Sequence, residues 1–262
     1  FVFSGDKKGA EFTGKIASID SVKGNFIKNN DQVNFNLDIN NPEHSLKLEE
    51  VYENSILKSG KMELVTGSLI AKFLAVLPDF ADLSNKLSFT EKIKITLDIS
   101  PINNWLTLKN IVIQSDSIAG TGEIAFSKNN QDINNVQINF SKIDLGNLNK
   151  SKDTDKQNVN SYSPINRDKF SLNKKQLKAN ISAKEIILSP KNLIKDVNLN
   201  FLIQNGGGKV EDFSGTFDQG GGFKVQGSIS ENSFRSIFNG VIALTHKDLN
   251  DLIEIVGGNK LR

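Results

Sequence analysis

Alternation of apolar and polar residues constrains this chain more than any other feature. Val33, Phe35, Leu37 and Ile39 interleave with Asn34, Asn36 and Asp38, and Ile93, Ile95, Leu97 and Ile99 interleave with Lys94, Thr96 and Asp98. Val136, Ile138 and Phe140 repeat the pattern, as do Val197, Leu199, Phe201 and Ile203 and then Phe223 and Val225. Successive side chains of a strand point to opposite faces, so a period of two sends one set toward an apolar face and the other to water. The reading is a mainly β chain of antiparallel strands, covered on one side and wet on the other.

Two glycine triplets, at 206–208 and 220–222, lie in "GGGKVEDFSGTFDQGGGFKVQGSIS". A phosphate cradle would need spaced glycines after a strand, then Lys and Ser or Thr opening a helix. Lys209 is followed by Val210 and by no helical pattern, and alternating runs flank both triplets. They read as glycine turns of a meander.

Two amphipathic helices are expected among the strands. Over 67–77, Leu69, Ile70, Phe73, Leu74 and Leu77 share one face; over 246–256, Leu249, Leu252, Ile253 and Val256 do the same. Residues 149–169, "NKSKDTDKQNVNSYSPINRDK", have almost no apolar content and read as a polar loop or linker. A repeat crosses it. "GEIAF" at 122 precedes "VQINFSKIDLGNL", and "GSISE" at 227 precedes "FNGVIALTHKDLNDL"; both run Gly-x-Ile, a strand, then [ST]-x-x-D-L-x-x-L. In that motif Thr245 with Asp248, and Ser141 with Asp144, are expected to cap short helices. The organisation is therefore a first β unit over 1–148 with its helix near 67–77, the linker 149–169, and a second β unit over 170–262 ending in the helix 246–256.

Composition narrows the function. The 262 residues carry a net charge of +2, and only Arg167, Arg235 and Arg262 among the 32 basic residues are arginine. No basic stripe interleaves with aromatics, which argues against a nucleic-acid partner. Absence of cysteine excludes a disulfide scaffold or thiolate zinc site. The most apolar window, "LIAKFLAVL" at 69–77, is broken by Lys72, stopped by Pro78 and far short of the roughly 20 residues that span a bilayer. The chain opens at Phe1 without an initiator Met, so a piece of a longer protein is expected, with any anchor outside it.

The stretch 177–230, from "LKANISAKEIILSPKNLIKDVNLNF" through "GGGFKVQGSIS", resembles the C-terminal region of AsmA-like proteins, relatives of the bridge-like lipid transfer proteins. "TGSLIAKFLAVLPDFADLSNKLSF" followed by "LTLKNIVIQSDSIAGTGEIAFS" is similar to the stretch just upstream in that family. The likeness covers most of the chain from about residue 60 and rests on the order of glycine and hydrophobic positions. It implies a long curved antiparallel sheet, a groove or taco-like form of repeated β units with two or more short amphipathic helices. It also implies a periplasmic protein of Gram-negative bacteria, held to the inner membrane by an N-terminal helix not present here, that carries phospholipid or another acyl lipid for outer-membrane maintenance alongside envelope proteins. On this reading Val33, Phe35, Leu37, Ile39, Ile93, Ile95, Leu97, Val136, Ile138, Phe140, Val197, Leu199, Phe201, Phe223 and Val225 line the lipid path. A β-sandwich filled by a second sheet would show the same alternation.

Residues with chemistry to offer are sparse. His44, in the turn-like "NNPEHS", and His246, placed in a first helical turn, read as surface residues with no second histidine at ligand spacing. No serine is framed as a nucleophile elbow, and Trp105 reads as a core or sheet-end anchor. The expectation is a non-catalytic lipid-handling segment without metal or cofactor. A repetitive β structural or adhesive module of the cell surface is the alternative, and a hydrolase comes third.

Overall fold

A computed structural model describes residues 2–6, 8–16, 19–41, 44–66, 91–129, 132–145, 176–189, 192–204, 207–232 and 235–248. These fold into fifteen strands: β1 (Val2–Asp6), β2 (Gly9–Ile16), β3 (Ile19–Asn29), β4 (Gln32–Asn40), β5 (His44–Glu53), β6 (Ile56–Thr66), β7 (Ile93–Ile102), β8 (Trp105–Gln114), β9 (Ile118–Ser127), β10 (Asn134–Asp144), β11 (Leu177–Ser189), β12 (Asn192–Gln204), β13 (Gly207–Phe217), β14 (Gly221–Asn232) and β15 (Arg235–His246). They form one sheet in which each strand pairs with its neighbours in the sequence, from β1 to β15. The mainly β reading holds. By internal contacts the chain divides into two compact units, Phe1–Asp116 with Thr121–Lys128, and Ser117–Gly120 with Asn129–Arg262. The segment 149–169, where the sequence suggested a division, lies outside the described residues.

Short hairpins set the register in the first unit. Asn30-Asp31, Asn54-Ser55 and Asn103-Asn104 form two-residue loops, and Asn30, Asn54 and Asn103 adopt φ of 54°, 51° and 54°. Asn tolerates this left-handed conformation better than most residues with a Cβ, which is why it can close a tight hairpin. In the second unit the β13–β14 turn uses Gly220 and Gly221 at φ of 97° and 90°, as the turn reading of that triplet requires. Of the other triplet, Gly207 and Gly208 already belong to β13; Lys209 projects from the same strand and pairs with Glu211 at 3.3 Å.

Two interior bulges keep the apolar residues on one side. Asn110 and Asp196 both have φ of 51°, beside register shifts between β7 and β8 and between β12 and β13. One extra residue inverts the alternation locally. Leu106, Leu108, Ile111 and Ile113 therefore share a face despite the interval of three at Asn110, and Ile194, Val197 and Leu199 do so across Asp196.

The expectation of uniform antiparallel pairing needs one correction. β10 and β11 run parallel, with Val136 beside Ala179 and Ile138 beside Ile181. Parallel neighbours cannot be joined by a hairpin and need a crossover of a dozen or more residues. The chain between Asp144 and Leu177, including the polar segment 149–169, supplies that connection.

The expected helix caps are also corrected. The β14–β15 ladder continues to the pair Gly221 and His246, so Thr245 is extended and its hydroxyl donates to the Gly222 carbonyl at 3.3 Å. Ser141 likewise sits in β10 and donates to the Ala119 carbonyl at 3.2 Å, while Asp144 closes that strand. Both motif hydroxyls bond to the strand alongside instead of to a helix N-terminus. His246, Lys247 and Asp248 are not helical; 249–256 and the whole of 67–77 lie outside the described residues. Leu145 is the one helical residue among those described, and none of their helices is long and apolar enough to cross a membrane.

Every substantial contact between strands is made with a sheet neighbour, so the described residues of each unit form a single layer. Burial is lateral. Val22, Ile93, Leu97 and Ile111 are buried in the first unit, and Ala179, Ala183, Val197, Ile203 and Phe217 in the second. Phenylalanine rings lying over glycines of the adjacent strand tighten this packing. A Cβ at Gly215 would come within 2.8 Å of the Phe223 ring and 3.1 Å of Ile194, and one at Gly120 within 2.6 Å of the Phe140 ring. Gly215→Val should therefore lower stability by about 1–3 kcal/mol through overpacking, read by chemical or thermal denaturation. Ser228→Val on the exposed face should change it by less than about 0.5 kcal/mol.

Candidate functional site: one apolar face in each unit

Directly paired residues of adjacent strands point to the same side of a sheet, so the register assigns each side chain to a face. In the first unit one row runs Ile39, Leu46, Leu64, Ile95 across β4 to β7, and the next runs Leu37, Leu48, Met62, Leu97. A third contains Phe26, Phe35, Glu50, Gly60, Ile99 and Leu108. Val33 lies opposite Tyr52, and Ile93 opposite Thr66. All seven residues expected to line a lipid path here, from Val33 to Leu97, occupy this one face.

In the second unit a single row crosses six strands: Ile138, Ile181, Leu199, Phe213, Val225 and Ile242. Val136, Ala179, Phe201 and Val210 form the row beside it. Phe140 joins Ala183 and Val197, and Phe223 lies opposite Gly215 and Leu244. All eight expected residues of this unit thus share a face. The Phe223 ring meets Phe213 edge-on at 4.9 Å and lies 6.0 Å from Phe217.

Sequence reasoning missed Leu46, Leu48, Met62 and Leu64, although Leu46 and Leu48 alternate in "HSLKLEE". It also missed the departure from apolarity on this face. Glu50 is half-buried between Phe35 and Gly60, and the Tyr52 hydroxyl donates to its Oε2 at 2.8 Å. The bond holds the phenol protonated and raises its pKa above the ordinary 10.0; burial and the nearby Glu50 charge act in the same direction.

Neither histidine is a plain surface residue. His44 opens β5 and is half-buried, with Nδ1 buried and unpartnered among the described residues. His246 ends β15, with its Nδ1 2.6 Å from the Asp248 carbonyl oxygen and 3.1 Å from the Asp248 backbone nitrogen, and its ring stands edge-on to Phe217 at 5.7 Å. Trp105 starts β8, half-buried opposite Ile102, at the sheet end next to a hairpin.

The opposite face of the first unit carries charge in cross-strand rows. Lys23, Asp38, Lys47 and Glu63 form one, and Asn25, Asn36, Glu49, Lys61, Asp98 and Lys109 the other. Two shallow depressions of about 400 and 490 Å³ lie along these rows. No group of three or more His, Cys, Asp or Glu among the described residues could hold a metal ion.

Comparisons of the chain with protein-family models, curated proteins and solved structures give no match.

Lys94 bridges to Glu63 at 2.8 Å, and this hydrogen bond holds the Glu63 carboxyl below its ordinary pKa of 4.5, with burial opposing and the charges of Lys94 and Lys47 assisting. A carboxyl with a depressed folded-state pKa contributes stability above its unfolded value and loses that contribution as pH falls through the folded one. Lys94→Gln should move the Glu63 titration midpoint upward in carboxyl-carbon NMR. An unmoved midpoint would mean that the bridge does not form in solution.

Proposed function

We propose that the chain is an AsmA-like, lipid-handling segment of a bacterial envelope protein, in which the apolar faces hold the acyl chains of phospholipids and the opposite faces meet water. One observation carries the reading: the apolar residues of each unit are collected on one side of a single-layer sheet, with no second sheet among the described residues to fill it. A sandwich would place a facing layer about 10 Å away, its side chains interdigitating with these rows. Hydrocarbon chains can take that layer's role, at about 0.8 kcal/mol for each buried CH₂. Rows such as Ile138, Ile181, Leu199, Phe213, Val225 and Ile242 offer that contact without a specific anchor, which suits a cargo that moves along the surface. On this reading the chain works in the periplasm, attached to the inner membrane through a segment outside it, and has no catalytic role.

The second reading, a structural or adhesive β module, has its own support. β15 is the last strand in the order and exposes apolar residues on both faces, Val241 at 68% and Ile242 at 67%. An exposed apolar strand at the end of the order can act as a template for further strands. Lipid content separates the two readings.

Protein purified without detergent should yield stoichiometric phospholipid by mass spectrometry. Phe201→Asp places a carboxylate on the proposed acyl path. The variant should keep its β circular dichroism, since no second layer among the described residues packs on Phe201, and lose most of the bound lipid. Asn198→Asp and Asn200→Asp, on the other face, should retain both fold and lipid. An unfolded Phe201→Asp would indicate a closed core, and a folded one with undiminished lipid would remove this strand from the path.

A further inference from the structure

Among the residues whose side chains are described, Glu50 is the one carboxylate at the apolar-face positions of β3 to β8. An ionised carboxylate in half-buried apolar surroundings is costly unless its oxygens are satisfied, and the two oxygens together can accept about four hydrogen bonds. Glu50 receives one from Tyr52 and has no Lys or Arg within ion-pair distance among the described residues. It is thus oriented but not neutralised. Its place on the face is also particular. Tyr52, two residues on, stands next to the Asn54-Ser55 hairpin, whereas the wholly apolar rows of Leu37 and Ile39 lie on the other side. Acyl chains over those rows would bring a headgroup to this end.

We propose that Glu50, held by Tyr52, selects the headgroup of the bound lipid by receiving the ammonium of an ethanolamine phospholipid. The inference rests on the lipid-handling reading of the face. The ammonium supplies the donors that Glu50 lacks and cancels its charge, where a glycerol headgroup offers only hydroxyls. Lys28, opposite Val33 in the row of Tyr52, offers a cation to the phosphate that both lipids share, so the two differ mainly at Glu50.

The test incubates the full chain with vesicles containing equal amounts of dioleoyl phosphatidylethanolamine and dioleoyl phosphatidylglycerol, then quantifies the lipids carried by the re-isolated protein. The wild type should favour the ethanolamine lipid by about tenfold, the scale of one charge-assisted hydrogen bond. Glu50→Gln keeps the shape and an acceptor for Tyr52 and should collapse that ratio toward one; Tyr52→Phe should reduce it in part. Equal loading by the wild type, or a preference that survives Glu50→Gln, would overturn the assignment while leaving lipid handling intact. Loading of neither lipid by the wild type would overturn the lipid reading itself. Should Glu50→Gln prove unstable, Tyr52→Phe carries the same test, and a preference that it leaves undiminished would overturn the assignment.

Discussion

The ladder of backbone hydrogen bonds between sequence neighbours is the constraint on which the structure depends. Among the described residues no helix or second sheet stands behind a strand to correct its position, so the strands beside it determine which side chains face which way. A slip of one residue would exchange the faces of a whole strand, sending Leu37 to the water side and Asp38 to the apolar side. The Asn-containing hairpins fix the pairing at one end of each hairpin pair. The bulges at Asn110 and Asp196 absorb an extra residue where the sequence would otherwise turn its apolar set to the wrong side.

A single layer also has to pack sideways. Gly24 receives the Phe12 ring, Gly120 the ring of Phe140 and Gly215 that of Phe223, each glycine accommodating an aromatic from the adjacent strand. The ring regains apolar contact that a missing facing layer would have supplied, and the glycine backbone is shielded. A ring lying along the sheet also projects less than one standing up from it. The resulting wall has fewer ridges to hold a cargo in one place, a property that suits lipid sliding better than it suits tight binding of one ligand.

Much of this was legible in the sequence, because period-two alternation is a direct image of the two faces. Phe35, Leu199 and Val225 could be placed on apolar faces without coordinates, and the glycines at 220 and 221 could be read as a turn. Alternation fails where the backbone adds a residue. The interval of three between Leu108 and Ile111 looks like a broken pattern until Asn110 is seen as a bulge. It also says nothing of strand direction, so the parallel pairing of β10 with β11 was hidden although the long polar connection it needs was visible. The [ST]-x-x-D-L motif misled for a different reason. A serine or threonine hydroxyl before an acid caps a helix only if the backbone leaves the sheet there, and at Ser141 and Thr245 the ladder continues. Glu50 was passed over because one of the three glutamates in "KLEEVYE" reads as a solvated charge until the register turns it toward Phe35 and Gly60.

Apolar alternation alone leaves the register ambiguous by two residues, since such a slip returns every hydrophobic side chain to the same face. The charged rows on the other face remove that ambiguity. In the observed pairing of β5 with β6, Lys47 meets Glu63 and Glu49 meets Lys61. Shifting β6 by two residues in one direction sets Glu49 against Glu63, and in the other sets Lys47 against Lys61. Pairing of β4 with β5 behaves the same way: Asp38 now faces Lys47, and one of the two shifts would bring it against Glu49. Between β6 and β7, Lys61 faces Asp98, and the corresponding slip would oppose Glu63 to Asp98. Directly opposed like charges destabilise a sheet and opposite charges stabilise it, each by about 0.2–1 kcal/mol, so a mismatched register loses on several pairs at once. The wet face thereby performs a task that its solubility alone does not require. It fixes which apolar residues stand beside one another, and so keeps the rows on the opposite side continuous.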